Sequence, residues 1–160
     1  FGDHIFLAFL SGLAVTLVIQ SSSATVGLTM AIAAQGVIPL ETAIAIIFGD
    51  NIGTTITAVL ASLGGNRAAK QAACAHVMIK VISAGIMFPL IPLYSSFIAM
   101  TTSDISRQVA NSHTIFSIIM ASMFIGIVPQ YARFIKKVIP DDKNAEVLGP
   151  MFLNPKLIDA

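Results

Sequence analysis

IFLAFLSGLAVTLVIQSSSATVGLTMAIAAQGVIPL, residues 5–40, contains no charged side chain. As one straight helix it would reach about 54 Å at ~1.5 Å per residue, well beyond the ~30 Å hydrocarbon core of a bilayer. The polar cluster Gln20-Ser21-Ser22-Ser23 sits near its middle. The apolar arms on either side, Ile5 to Ile19 and Ala24 to Ala34, are each too short to cross comfortably alone. The sequence therefore predicts a re-entrant helical hairpin over residues 3–36, which enters the membrane, turns at Gln20–Ser23 and leaves by the same face. Such a backbone is tolerated only where protein or a water-filled cavity surrounds the turn.

Outward from this stretch the pattern continues. Leu40 to Phe48 is apolar apart from Glu41, Gly49-Asp50-Asn51-Ile52-Gly53 interrupts it, and Thr54 to Leu63 resumes it. Two short apolar halves around a Gly-bounded polar break predict one discontinuous helix over 39–64, and paired interrupted segments point to a transporter's binding site. A transmembrane helix is predicted over 68–100, kinked or ended early by Pro89 and Pro92, and another over 112–137. Arg67 and Lys70 precede the first; Arg133, Lys136 and Lys137 lie at the end of the second. Two crossings put both basic clusters on one face, which the positive-inside rule makes cytoplasmic, with the loop holding Asp104 and Arg107 facing outward. Residues 141–160 read as a polar cytoplasmic tail or the start of a further domain.

Composition agrees. Of 160 residues 56% are hydrophobic and 11% charged, against about 25% charged in ordinary soluble domains; mean hydropathy is +0.86. So few charges cannot coat a soluble globule, and the chain reads as an all-α integral membrane protein. A net charge of +1 offers no basic field for nucleic acid, and the single cysteine, Cys74, excludes an intrachain disulfide. The chain starts at Phe1 without an initiator Met and reads as a piece of a longer protein.

The polar clusters carry the chemistry. At a hairpin tip the second arm's free N–H groups and positive dipole end face the turn, which makes an anion site. Ser hydroxyls there can donate to an oxyanion, ligate sodium, or simply cap the second arm. Around Asn51-Ile52-Gly53-Thr54-Thr55, glycines free the backbone to turn, and exposed carbonyls can then coordinate a hard cation; ordinary helix breaking and capping is the other reading. Asp50 and Lys80 are the deepest charges, and an intramembrane charge is by default functional or paired, so they are expected to neutralise each other. His76 and His113 read as hydrogen-bonded structural histidines, since no Cys/His spacing supports a zinc site.

Gln20-Ser21-Ser22-Ser23-Ala24-Thr25, Gly49-Asp50-Asn51-Ile52-Gly53-Thr54-Thr55, Ala75-His76 and His113-Thr114-Ile115-Phe116 together resemble the bacterial sodium–phosphate cotransporter family, related to the animal type II sodium–phosphate cotransporters. Order and spacing agree over roughly residues 10 to 130. The family has two inverted repeats, each with a QSSS hairpin; this chain holds one and looks like the second. Phe152-Leu153-Asn154-Pro155 resembles the start of a cytoplasmic extension. The resemblance implies symport of inorganic phosphate with sodium as coupling ion and no organic cofactor, in the cell membrane, with a second QSSS repeat completing the site. It implies that Gln20, Ser21, Ser22, Ser23 and Thr25 contact phosphate, and that Asn51, Thr54, Thr55 and Ser22 hold sodium or the facing half-helix. The family more often has a small residue where Asp50 stands, and Asn where Lys80 and Ser117 stand. Rival readings are another sodium-coupled anion carrier, such as one for dicarboxylates, a transport-inactive regulatory protein, and an intramembrane serine hydrolase using Ser21, Ser22 or Ser23 with His76 or His113. The last lacks a Gly-x-Ser-x-Gly elbow, and the chain is expected not to be an enzyme.

Overall fold

A computed structural model describes residues 2–141, with side chains from His4 onward. The tail expected over 141–160, including Phe152 to Pro155, lies outside the described residues except for Asp141. Regular structure within 2–141 is entirely helical.

The hairpin arms are α1 (Gly2–Ile19) and α2 (Ser22–Ala34). The turn between them takes two residues. Gln20 adopts a left-handed conformation (φ 55°), the one non-glycine to do so among the described residues. Ser21 is extended and caps α2, its Oγ accepting from Ala24 N at 3.4 Å. Ser is among the preferred N-cap residues because its short side chain meets an otherwise orphaned N–H.

Next come α3 (Leu40–Gly53) and α4 (Ile56–Ser62), together a 23-residue apolar segment long enough to cross a membrane. The helix is discontinuous, but the interruption falls on Thr54–Thr55, and both residues keep right-handed helical dihedrals. Gly49 to Gly53 stays helical. These glycines serve close packing instead of turning: a Cβ on Gly49 would lie 1.9 Å from Phe9 O, and one on Gly12 2.1 Å from Ile46 O. Small residues four apart let membrane helices pack backbone to backbone where lipid gives no hydrophobic drive. Gly12 meets Ile46 while Thr16 meets Gly53, so α1 and α3 run side by side in the same direction, with α2 returning between them.

Asn66 caps α5 (Arg67–Met87) by accepting from Ala69 N at 2.9 Å. Pro89 and Pro92 do not end the helix. It tightens into a 3-10 turn at Phe88–Leu90 and resumes as α6 (Ile91–Ala99), giving a 33-residue apolar segment.

The predicted final span over 112–137 is corrected. Asp104 caps α7 (Ile105–Ile125), its carboxylate accepting from Arg107 N at 3.0 Å. The loop predicted to face outward therefore ends at Asp104, and Arg107 belongs to the helix. Gly126–Ile127 separates α7 from α8 (Val128–Val138). Pro129 stands in the first turn of α8, where its missing N–H removes no hydrogen bond.

Phe48 of α3 ties the core together, 4.6 Å from Phe116 of α7 and 5.8 Å from Tyr94 of α6 between ring centroids. Ser95 Oγ donates to Glu41 at 3.4 Å and Ser106 Oγ to Met30 O at 3.5 Å. These bonds gather the ends of α2 and α6 and the starts of α3 and α7 at one end of the molecule. At the other end Gln71 Nε2 donates to Ile139 O (2.8 Å) and Tyr131 Oη to Ala75 O (2.7 Å), so both basic clusters share a face. Three apolar helical segments of crossing length, Leu40–Ser62, Arg67–Ala99 and Ile105–Ile125, make this a multi-pass membrane protein.

Candidate functional site

The hairpin tip meets the Leu40–Ser62 segment halfway along, at Asp50. That carboxylate is fully buried (0% exposed). Ser22 Oγ donates to its Oδ2 at 2.5 Å and Thr16 Oγ1 to its Oδ1 at 2.8 Å. Thr16 also shares a 2.9 Å hydroxyl–hydroxyl bond with Thr25. One acid on α3 therefore fastens both arms of the hairpin, one donor from the end of α1 and one from the start of α2. Ionised carboxylates accept such bonds strongly, and an unpaired one would be costly at this depth.

Behind Asp50 stands Asn51, 2% exposed. Its Nδ2 donates back to Ile47 O (3.0 Å), which leaves Oδ1 to accept from Lys80 Nζ at 2.8 Å. The expected direct ion pair between Asp50 and Lys80 is not formed. The α3 backbone points the two neighbouring side chains in different directions, and the Lys80 stem on α5 reaches Asn51. Lys80 thus stands next to Asp50 only through the neighbouring residue, Asn51.

The cation reading of the helix break needs exposed carbonyls, and hydroxyls cover them here. Thr54 Oγ1 donates to Asn51 O and Thr55 Oγ1 to Ile52 O, each at 2.8 Å. The predicted site residues divide accordingly. Ser22, Thr25 and Asp50 share one hydrogen-bond network with Thr16, and Asn51 beside it pairs with Lys80. Thr54 and Thr55 face their own helix. Gln20 and Ser23 lie exposed at the tip, and neither side chain hydrogen-bonds to a described residue. Ser21 caps α2. His76 is exposed and His113 half-buried on a different helix; neither imidazole hydrogen-bonds to a described residue, so the structural role expected of them is not seen.

Sequence reasoning missed Thr16. A lone hydroxyl in an apolar arm ordinarily bonds back to its own helix. Its position one turn before Gln20 was the available signal that it faces the tip.

The family described as Na+/Pi-cotransporter matches residues 1–128. Over 102 residues the chain is 37% identical to uncharacterized protein YqeW of Bacillus subtilis, covering 64% of this chain and 33% of that protein. Over 89 residues it is 36% identical to human sodium-dependent phosphate transport protein 2B, covering 53% of this chain and 13% of that one. Over 58 residues it is 43% identical to human sodium-dependent phosphate transport protein 2C, covering 36% and 10% respectively. The chain thus spans a third or less of each of these relatives. No solved structure matches it. The family is one of transporters, not enzymes, and with the match extending over most of its length this chain belongs to the Na+/Pi-cotransporter family.

Proposed function

We propose that the chain forms one repeat of a sodium-coupled phosphate symporter of the cell membrane, its α1–α2 hairpin re-entrant and its C-terminal end cytoplasmic. The observation that carries this reading is the meeting of the hairpin tip with Asp50 halfway along a membrane-crossing segment. A hairpin that stops at mid-depth opens the N-terminus of α2 there, and Gln20 and Ser23 present an amide and a hydroxyl beside it with no competing partner among the described residues. Helix N-terminus and hydroxyl together suit a phosphate oxyanion. A second QSSS repeat would face this tip, and rocking of one repeat against the other would expose the site to each side in turn.

Sodium enters the reading through oxygen donors near Asp50 and Asn51. Coupling requires that sodium and phosphate jointly favour a state that neither favours alone.

The test is uptake of radiolabelled phosphate by proteoliposomes of the full-length protein under a sodium or a potassium gradient, for wild type, Ser22→Ala and Ser23→Ala. Uptake that needs sodium and collapses in Ser23→Ala is the expected result. Ser23 has no side-chain hydrogen bond to lose among the described residues, so that loss reads substrate contact and not folding. Competition by a dicarboxylate would move the assignment to another anion. The internally balanced charges of Asp50 and Lys80 favour one second reading, a transport-inactive regulator, and folded protein without uptake under either gradient selects it.

A further inference from the structure

Asp50 brings one negative charge into the middle of the molecule, and among the described residues its carboxylate is satisfied by neutral hydroxyls alone. The compensating positive charge stands one residue away. Lys80 Nζ lies 2.8 Å from Asn51 Oδ1, on an amide oxygen of the kind that ligates alkali cations. Asn51 is held for that task, because its own amide N–H is committed to Ile47 O at 3.0 Å. Lys80 rises from α5 and Asn51 from α3, so the ammonium also bridges two spans. An ammonium and a desolvated sodium ion carry the same charge and seek the same oxygen donors. The difference is that the ammonium on its four-carbon stem cannot leave.

We infer that the Lys80 ammonium is a tethered cation that takes the place of one exchangeable sodium at Asn51 Oδ1, next to the charge of Asp50, so that the protein couples transport to one sodium fewer than the same site would without it. The inference rests on the symport reading above and concerns its ion count. Three consequences follow from charge alone. Removing the Lys80 charge leaves the Asp50 carboxylate uncompensated, and a sodium ion should then be drawn to the vacated Asn51 Oδ1. Keeping the charge in another shape should keep sodium out. Each cycle of the wild type should move one positive charge fewer than a cycle of the uncharged variant.

The experiment uses full-length wild type, Lys80→Gln and Lys80→Arg. Gln keeps an N–H donor for Asn51 Oδ1 without the charge; Arg keeps the charge. Lys80→Asn is the second uncharged variant should Lys80→Gln fail to fold. The first readout is equilibrium binding of radioactive sodium to purified protein, and the second is sodium activation of phosphate uptake in proteoliposomes. Lys80→Gln should bind about one sodium more than wild type and show a sodium-activation slope higher by about one, because an added coupling site adds one ligand to the linkage. Lys80→Arg should keep the wild-type count. Equal sodium binding by wild type and Lys80→Gln, or Lys80→Arg behaving like Lys80→Gln, overturns the tethered cation. Wild-type protein that binds sodium in the expected pattern but takes up no phosphate overturns the symport reading instead. Sodium-driven uptake with an unchanged slope in Lys80→Gln leaves symport standing and removes this inference alone.

Discussion

Gly49 and Gly85 are both helical glycines, yet they do opposite work. A Cβ at Gly49 would collide with the backbone of Phe9 at 1.9 Å, whereas one at Gly85 meets nothing within 4 Å. Gly49→Ala must push α1 off α3, at a cost of about 1–3 kcal/mol typical of overpacking or more, since backbone yields poorly. Gly85→Ala should be neutral or stabilising by up to ~1 kcal/mol through helix propensity. Thermal unfolding of the two variants in one detergent tests this, and an unshifted Gly49→Ala would refute the close α1–α3 contact. Asp50 makes the second residue-scale prediction. Asp50→Ala leaves the Ser22 and Thr16 hydroxyls, donors from two different helices, without their acceptor. Unmade bonds of this kind cost ~1–3 kcal/mol each. The hairpin arms should then become more open to protease or hydrogen exchange than the rest of the chain, with protection of α7 retained as the control. What the sequence could not reveal at this scale is direction. Asp50 and Lys80 stood out as costly charges, but which atoms they reach depends on the crossing of α3 with α5, and no local pattern encodes that.

At the scale of elements, α8 is tied to α5 by Tyr131, whose Oη donates to Ala75 O at 2.7 Å, and at its C-terminal end by Gln71, whose Nε2 donates to Ile139 O at 2.8 Å. Burial, then the neighbouring Cys74 charge, raises the phenol above its ordinary value, with a backbone hydrogen bond opposing. A raised acid of this kind gives stability that is complete below the unfolded phenol's value and lost as pH climbs through the folded one. The docking of α8 should therefore weaken above about pH 10 in wild type. In Tyr131→Phe that alkaline loss should be absent, against a constant penalty of about 1 kcal/mol for the missing bond. Parallel pH–stability curves for the two proteins would show that Tyr131 does not hold the helix. Element existence was legible because charge-free runs and Gly/Pro punctuation are strong signals in a membrane chain. Element boundaries were less so. Glycine marks either a turn or a close approach, and Gly49 and Gly53 proved to be the second. Gly126 and Pro129 divide what composition alone reads as one span, because residues of α8 such as Tyr131 and Ile135 continue the hydrophobic pattern past the break.

For the molecule as a whole, the ends fix the topology. Arg67, Lys70, Arg133, Lys136 and Lys137 gather at one end, where the Lys136–Asp141 ion pair (2.9 Å) also lies. Glu41, Asp104 and the mouth of the hairpin occupy the other. If the first end is cytoplasmic, then the start of α1, the α2–α3 turn and the α6–α7 turn must all face outward, because α1 and α3 run the same way and α2 returns between them. Single cysteines placed on a Cys74→Ser background test this arrangement: His4→Cys, Val37→Cys, Ser103→Cys and Lys137→Cys, all at exposed positions. A membrane-impermeant maleimide added to intact cells should label the first three, and Lys137→Cys only after permeabilisation. Labelling of His4→Cys and Val37→Cys from opposite sides would mean that one arm crosses the bilayer, contrary to a re-entrant hairpin. Labelling of Lys137→Cys with Ser103→Cys from one side would break the two-ended arrangement of the basic clusters. A uniform reversal, with Lys137→Cys alone reached from outside, would keep the fold and invert its orientation, placing the hairpin mouth on the cytoplasmic side with the tip, Gln20 and Ser23, pointing away from it.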